Sequence, residues 1–80
     1  MGARNKGVRA TILVDDKPGQ LAKLTQAIAN LGGNFIAFGQ FAGETPSNRL
    51  VTFKVSGLEE TQVRDEIEPF AEKVVDLRTC

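Results

Sequence analysis

The course of the chain is set by residues 14–34, VDDKPGQLAKLTQAIANLGGN. From Leu21 to Leu31 the apolar positions recur every three or four residues, which is the spacing of one face of an α-helix. Pro18 before this run favours a helix start, and the Gly-Gly pair after it favours a helix end. We therefore predict a helix over residues 19–31 that is entered by a tight turn.

Outside this helix, apolar and polar residues alternate in four segments, which is the period of a strand with one buried face. The clearest case is the first segment, in which one side is wholly apolar: Val8, Ala10, Ile12 and Val14. A second helical run, with Pro69 near its end, predicts a helix over residues 59–69. The predicted strands cover residues 8–14, 34–42, 49–56 and 74–79, and in the last of these Val75 and Leu77 are expected to face inward.

The order of these elements is βαββαβ, which predicts an α+β ferredoxin-like sandwich. Such a fold has a four-stranded antiparallel sheet with two helices on one face, and its second strand lies at a sheet edge. Unbroken alternation in that strand puts Ile36 and Phe38 on the helix-free face with Leu13 and Leu50, and Phe41 on the opposite face. This mixed apolar and polar face is compatible with scattered surface hydrophobic residues, but in so small a domain it favours contact with another subunit.

Composition excludes several classes of function. Ten Lys and Arg balance ten Asp and Glu among 80 residues, and the chain has no His and one Cys, Cys80. A neutral chain gives no electrostatic basis for binding nucleic acid or an anionic membrane. Without His, neither a Cys/His metal site nor a Ser-His-Asp or Cys-His catalytic arrangement can form, and no phosphate-loop motif indicates a cofactor. No internal disulfide is possible and no apolar run is long enough to span a membrane, so we expect a cytoplasmic protein.

The helix entry resembles that of the ACT domain, a small regulatory module of amino-acid metabolism. The family pattern is a strand, then D-x-P-G-x-L-A-x-L, a helix ending in Gly, and G-x-N-I opening the second strand. With Phe35 in place of Ile, the chain matches at Asp16, Pro18, Gly19, Leu21, Ala22, Leu24, Gly32 or Gly33, and Asn34. The resemblance implies an ACT-like domain over residues 8–80, preceded by a flexible tail or linker at 1–7.

A narrower likeness is to the ACT segment that follows a pair of CBS domains in acetoin-utilisation-type proteins. It implies that other domains of a longer parent chain are partners of this one. Some serine-binding members of the family carry a His where this chain has Val14. Serine-type feedback binding is therefore not implied.

The turn before the first predicted helix is a candidate ligand site. A helix N-terminus offers unpaired N–H groups and the positive end of a dipole, which favour an anionic group, and Gly19 leaves them accessible. Asp16 could pair with an ammonium group, and the Asn34 amide offers both a donor and an acceptor. If these groups form one rim, they suit a zwitterionic amino acid. The resemblance implies a ligand between two subunits, at Asp16, Gly19, Gln20, Leu21 and Asn34.

Two interpretations of function stay open at this point. The first is a non-catalytic regulatory module that senses a small ligand, an amino acid, at a homodimer interface. The second is a purely structural dimerisation domain, in which Asp16 only caps or charge-complements the helix. Both use a homodimer that forms through the second strand, the first helix or the helix-free face of the sheet. Because the second strand is an uncharged edge, the expected dimer-interface residues are Phe35, Ile36 and Phe38.

Overall fold

The computed structural model describes residues 7–79; Cys80 and, apart from Gly7, the predicted tail lie outside the described residues. The elements are β1 (Val8–Asp15), α1 (Gln20–Asn30), β2 (Asn34–Ala42), β3 (Asn48–Ser56), α2 (Glu60–Ile67) and β4 (Ala71–Thr79). The predicted βαββαβ order and the predicted fold class are confirmed. Within residues 7–79, neither helix is long and apolar enough to cross a membrane.

The strands form one four-stranded antiparallel sheet in the order β2-β3-β1-β4. The hairpin of β2 and β3 and the edge position of β2 are both as predicted. Strand β4 is the other edge, so β1 and β3 are paired on both sides. The sheet therefore has two inner strands and two outer ones.

The core lies between one face of the sheet and both helices. Alternate residues of β1 and β3 are buried against the apolar stripes of α1 and α2, and the largest side chains involved are Phe53, Ile12, Leu24, Ile28 and Ile67. Because one sheet face supplies these residues, both helices pack on that face, as predicted. We call the other side of the sheet the open face.

Glycine sets both ends of α1. Gly19, at the N-cap, has a φ of 80°, and Gly32, just after the helix, has a φ of 93°. Residues with a Cβ rarely adopt this left-handed backbone, so glycine lets the chain enter and leave the helix sharply. The helix spans eleven residues, close to the predicted 19–31.

The last strand begins earlier than predicted. Helix α2 ends at Ile67, two residues before Pro69, and β4 begins at Ala71 rather than at residue 74. Two extra residues, Glu72 and Val75, interrupt its pairing with β1. Because of the second bulge, Val75 is 51% exposed and Val74 packs against the core, so the prediction that Val75 faces inward was wrong.

A bulge in β2 also corrects the predicted faces of that strand. Phe35 pairs with Val55 and Ala37 pairs with Lys54, so Ile36 is an extra residue. A one-residue slip moves every later side chain to the other face. Beyond the bulge, Phe38 and Gln40 therefore lie on the helix side, opposite buried residues of β3, whereas the following residues lie on the open face: Ala37, Gly39 and Phe41.

Candidate functional site

The loop between β1 and α1 is held by backbone hydrogen bonds. The Asp16 N–H donates to the Ser47 carbonyl in the β2–β3 loop at 2.9 Å, and the Gln20 N–H donates to the Lys17 carbonyl at 3.2 Å. Helical bonding starts where the Lys23 N–H donates to the Gly19 carbonyl at 3.0 Å. The loop therefore presents the start of α1 in a defined conformation.

The N-terminus of α1 carries no compensating side chain among the described residues. Gly19 is the N-cap residue, so no side chain makes a capping hydrogen bond at the helix start, and the first turn contains no acidic residue. The N–H groups between the bonded ones of Gln20 and Lys23, together with the positive end of the helix dipole, can therefore bind an external anion. The interpretation of Asp16 as the cap of this helix was wrong.

Asp16 instead pairs with Arg49, at the start of β3. The Arg49 Nε donates to Asp16 Oδ1 at 2.8 Å, and this hydrogen bond and the carboxylate charge raise the pKa of Arg49 further. Both side chains are substantially exposed, so the pair contributes little to stability and can exchange partners. Sequence reasoning missed Arg49, because only the register of the β2–β3 hairpin places it beside Asp16.

A groove of about 570 Å³ runs beside this ion pair. It is lined by Asp16 and Arg49, by Phe41 and Ala42 at the end of β2, and by the loop at 43–46. A carboxylate and a guanidinium at one groove complement the two charges of a zwitterion. The charges that amino-acid recognition needs are thus present without Asn34.

Asn34 lies at the opposite end of the sheet from Asp16. Asn34 pairs with Ser56, whereas Asp15, next to Asp16, pairs with Asn48 at the other end of β3. Eight strand residues separate these ends by about 25 Å. The prediction that Asp16 and Asn34 form one rim was therefore wrong within one protomer, because α1 carries the chain back along the sheet before β2 starts.

A second groove, of about 440 Å³, separates α1 from β2. It is almost wholly apolar, and its lining consists of Leu21, Ala22, Thr25, Phe35 and Phe38. The ring of Phe35 meets those of Phe38 and Phe53 edge to face, at centroid distances of 6.0 and 5.5 Å. Phe38 is thus anchored through Phe35 to the core and still 42% exposed at the sheet edge.

A pair of carboxyl groups lies next to the loop. Hydrogen bonding with Glu72 holds the pKa of Asp15 below its ordinary value, and the same contact raises the pKa of Glu72. Lys17 Nζ lies 3.5 Å from Asp15 Oδ2, and the amide of the buried Asn48 donates to Glu72 Oε1 at 3.1 Å. Asn48 Oδ1 also accepts from the Thr45 N–H at 3.0 Å, so the pair ties the hairpin loop to β1 and β4. These partners give the pair a structural role.

Solved structures that resemble this fold include three from different kinds of protein. One is described as GqqA, a novel type of quorum quenching acylases, with a TM-score of 0.75 and 22% identity over 90% of this chain and 41% of that one. The second is the ligand-free regulatory subunit of aspartate kinase from Thermus thermophilus, with a TM-score of 0.67 and 22% identity over 96% of this chain and 51% of that one. The third is a formyltetrahydrofolate deformylase from Pseudomonas syringae pv. tomato str. DC3000. It matches with a TM-score of 0.68 and 18% identity over 94% of this chain and 27% of that one.

This chain spans about half or less of the length of those structures. At these identities the likeness concerns the fold. No curated protein matches the sequence. The family comparison is more specific, because the family described as the TTHA0829-like ACT domain matches residues 6–78, nearly the whole chain. The chain therefore belongs to the TTHA0829-like ACT family and is an ACT domain, a member of a family of small regulatory modules.

Proposed function

We propose that this domain is a non-catalytic module that senses an amino acid at a homodimer interface built from its β2 edge. The observation that carries the proposal is the separation of the two halves of the site. Asp16 and the start of α1 lie at one end of the sheet, and Asn34 lies at the other end, on the uncovered edge strand. A second copy can bring such halves together.

Antiparallel pairing of two β2 strands about a twofold axis supplies the missing contact. In that arrangement the start of one β2 lies against the end of the other, so Asn34 of the partner subunit falls beside Ala42. Ala42 pairs with Arg49 and lines the groove that contains Asp16. Each of the two sites then combines the loop of one protomer with the partner's Asn34.

The edge itself favours this pairing. Strand β2 has no charged residue from Asn34 to Ala42 and exposes Ile36 and Phe38, which are 52% and 42% accessible. An unprotected, uncharged edge is a template for another strand. We place Phe35, Ile36 and Phe38 at this interface, with Phe38 also closing the apolar groove against α1.

The ligand chemistry follows from the charges in the groove. The carboxylate of an amino acid would bind the start of α1, near Gly19, Gln20 and Leu21, or the guanidinium of Arg49. Its ammonium group would bind Asp16, which the exposed pair with Arg49 releases at little cost. The amide of the partner's Asn34 can donate to the carboxylate. Asp15 and Glu72 are already hydrogen-bonded to each other, so we assign them a structural role in holding the loop and no catalytic role.

The second candidate is a structural dimerisation domain that uses the same edge without a ligand. The exposed apolar residues Ile36 and Phe38 favour it, because they drive association whether or not the groove is filled. In either case we propose that the domain acts within a longer chain, for which a preceding pair of CBS domains is one arrangement.

A panel of the common amino acids, followed by thermal shift and calorimetry, tests the sensing function. We expect one or a few amino acids to raise the melting temperature of the dimer by mass action. Asp16→Ala should weaken their binding by roughly tenfold or more, because a charge-assisted hydrogen bond is lost. Asp65→Ala on α2 removes the same charge far from the groove and is the matched control. A flat response to every amino acid, with the dimer intact, would support the structural alternative.

Mixing two inactive variants tests whether the site is shared. Asp16→Ala and Asn34→Ala should each bind poorly alone, since every site lacks one partner. After the two are mixed and exchanged, about one quarter of the sites should be intact, because each mixed dimer has one complete site. No recovery on mixing, with exchange confirmed, would contradict a site shared between subunits.

A further inference from the structure

The open face carries a row of three cations at the end of the sheet far from Asp16. Arg9 of β1 lies directly opposite Lys54 of β3 and also directly opposite Arg78 of β4. These side chains alternate with buried core residues, so they project from the open face. Like charges directly opposite each other destabilise a sheet. A row of this kind therefore favours a compensating anion.

The protein compensates only part of this row within residues 7–79. Nε and Nη2 of Arg78 donate to the two carboxylate oxygens of Asp76 at 3.0 and 3.2 Å. In the same described range, no carboxylate lies within ion-pairing distance of Arg9 or Lys54. A Cβ at Gly7 would lie 3.0 Å from Cε of Lys54, so the stem of this lysine packs along the backbone there. Among the residues that the structure describes, Arg9 and Lys54 therefore have no anionic partner.

An apolar surface adjoins these two cations. A groove of about 350 Å³ is lined by Arg9, Lys54 and Thr52 together with Ala37, Gly39 and Phe41. A Cβ at Gly39 would lie 3.4 Å from Cε2 of Phe41, so the phenyl ring lies over this glycine, and Phe41 is 56% exposed. Gly39 pairs with Thr52, two residues from Lys54, which places the ring about 7 Å along the strands from the cations.

Thr11 and Thr52 lie in the same cross-strand row as Gly39, so their hydroxyl groups are beside the Phe41 ring and one row from the cations. Their oxygens are 3.1 Å apart and share one hydrogen bond across β1 and β3. One of the two hydroxyls donates in this bond, and the other can donate to a bound anion. The surface thus combines two cations, a hydroxyl donor and an aromatic ring in one groove.

We propose that this end of the open face binds a small organic anion that carries a planar apolar group, such as an aryl phosphate, sulfonate or carboxylate. The anionic group pairs with Arg9 and Lys54, and the planar group packs on Phe41. Ligand pockets begin at about 300 Å³, so this groove fits a molecule with a single ring. The site uses neither Asp16 nor the start of α1, and although Phe41 lines both grooves, the anion is held by Arg9 and Lys54, so this ligand differs from the amino acid proposed above.

Phenyl phosphate is the probe that tests this site, with inorganic phosphate and phenol as its two separate halves. In amide NMR titrations of the protein, phenyl phosphate should shift the signals of β1 and β3 around Arg9 and Lys54. It should bind more tightly than inorganic phosphate, and phenol should bind least. Added salt should weaken binding, because the cations are exposed.

Charge-removing variants decide where the probe binds. Lys54→Gln and Arg9→Gln should each weaken phenyl phosphate binding by roughly threefold to tenfold. Lys23→Gln on α1 removes the same charge from the other side of the molecule and should leave binding unchanged. Equal weakening by Lys23→Gln, phenol binding as tight as that of phenyl phosphate, or shifts confined to the β1–α1 loop would each overturn the proposal.

Discussion

The two inner strands and the two outer strands of this sheet are built differently. Strands β1 and β3 pair with each other without interruption, and their alternate residues are almost fully buried. Strands β2 and β4 carry all three bulges of the sheet, at Ile36, Glu72 and Val75, and no residue of either strand is fully buried. The inner strands therefore hold the fold, and the outer strands are available for contacts with other molecules.

The outer strands lie next to the two candidate binding surfaces. The edge of β2 is uncharged and adjoins an apolar groove, and β4 begins beside the loop that contains Asp16. Bulges at sheet edges redirect side chains, and here the bulge at Ile36 turns Phe38 toward α1 and Phe41 toward the open face. The extra residue thus exchanges the faces of the two rings relative to unbroken alternation.

The same substitution in an inner and an outer strand should separate these roles most strongly. Ile12 is fully buried in β1, whereas Ile36 is the 52% exposed bulge residue of β2. Ile12→Ala should lower the free energy of unfolding by about 2 to 5 kcal/mol, because it leaves a core cavity. Ile36→Ala should change the stability of the separate protomer by about 0.5 kcal/mol or less, and any further loss should come from the dimer interface and depend on protein concentration. Urea unfolding at several protein concentrations separates the two contributions, and equal losses from the protomer would contradict the division between inner and outer strands.

Charge placed on either face of β2 should show which face associates. Phe38→Glu puts a carboxylate at the edge beside α1 and should weaken the dimer by roughly tenfold or more, with a smaller effect on the fold. Phe41→Glu places the same charge on the open face and should weaken the dimer less than Phe38→Glu does. Sedimentation over a range of concentrations distinguishes them. A larger effect of Phe41→Glu would move the interface to the open face.

The contact of Glu72 with Asp15 predicts a smaller effect on the melting temperature, and this effect depends on pH. The pKa of Glu72 is raised by Asp15, so its contribution to stability is full below the pKa of an unfolded Glu and is lost as the pH rises through the folded value. Glu72→Gln replaces the carboxyl group with an amide that can still bond to Asp15 and Asn48, and it removes the repulsion between the two carboxylates. The variant should therefore melt slightly higher than the parent at pH 7, by a few degrees at most, and the gain should vanish toward pH 4.

Glu66→Gln on α2 makes the same change of charge away from Asp15 and is the control for that experiment. Melting curves between pH 4 and pH 8 compare the two variants with the parent. A gain for Glu72→Gln that is the same at pH 4 and pH 7 would rule out relief of the Asp15 repulsion as its cause.

Alternation in the sequence predicted the inner strands well and the outer strands poorly. Val8 to Val14 alternates without a break, and each apolar residue on the predicted face is buried. In β2 and β4 a bulge shifts the alternation by one residue, and nothing in the local pattern around Ile36 or Val75 marks it. The faces assigned to Phe38, Phe41 and Val75 were wrong for that reason.

The candidate site was predicted in part. The turn at Gly19 and the uncapped helix start follow from the residues, whereas the Asp16–Arg49 pair depends on the register of the β2–β3 hairpin. The position of Asn34 at the far end of the sheet could have been predicted from the βαββαβ topology. A helix of eleven residues carries the chain back by about 16 Å, so the strand after it starts at the far end of the sheet.

Contacts between subunits in a mixed-label dimer test the central claim most directly. In a dimer with one isotope-labelled and one unlabelled copy, intermolecular NMR cross-peaks should connect the β2 strands in antiparallel register. They should also place the partner's Asn34 near Ala42 and Arg49. Cross-peaks only between open faces, around Phe41, Leu50 and Val75, or a monomer without intermolecular cross-peaks, would contradict an amino-acid site shared across the β2 edge.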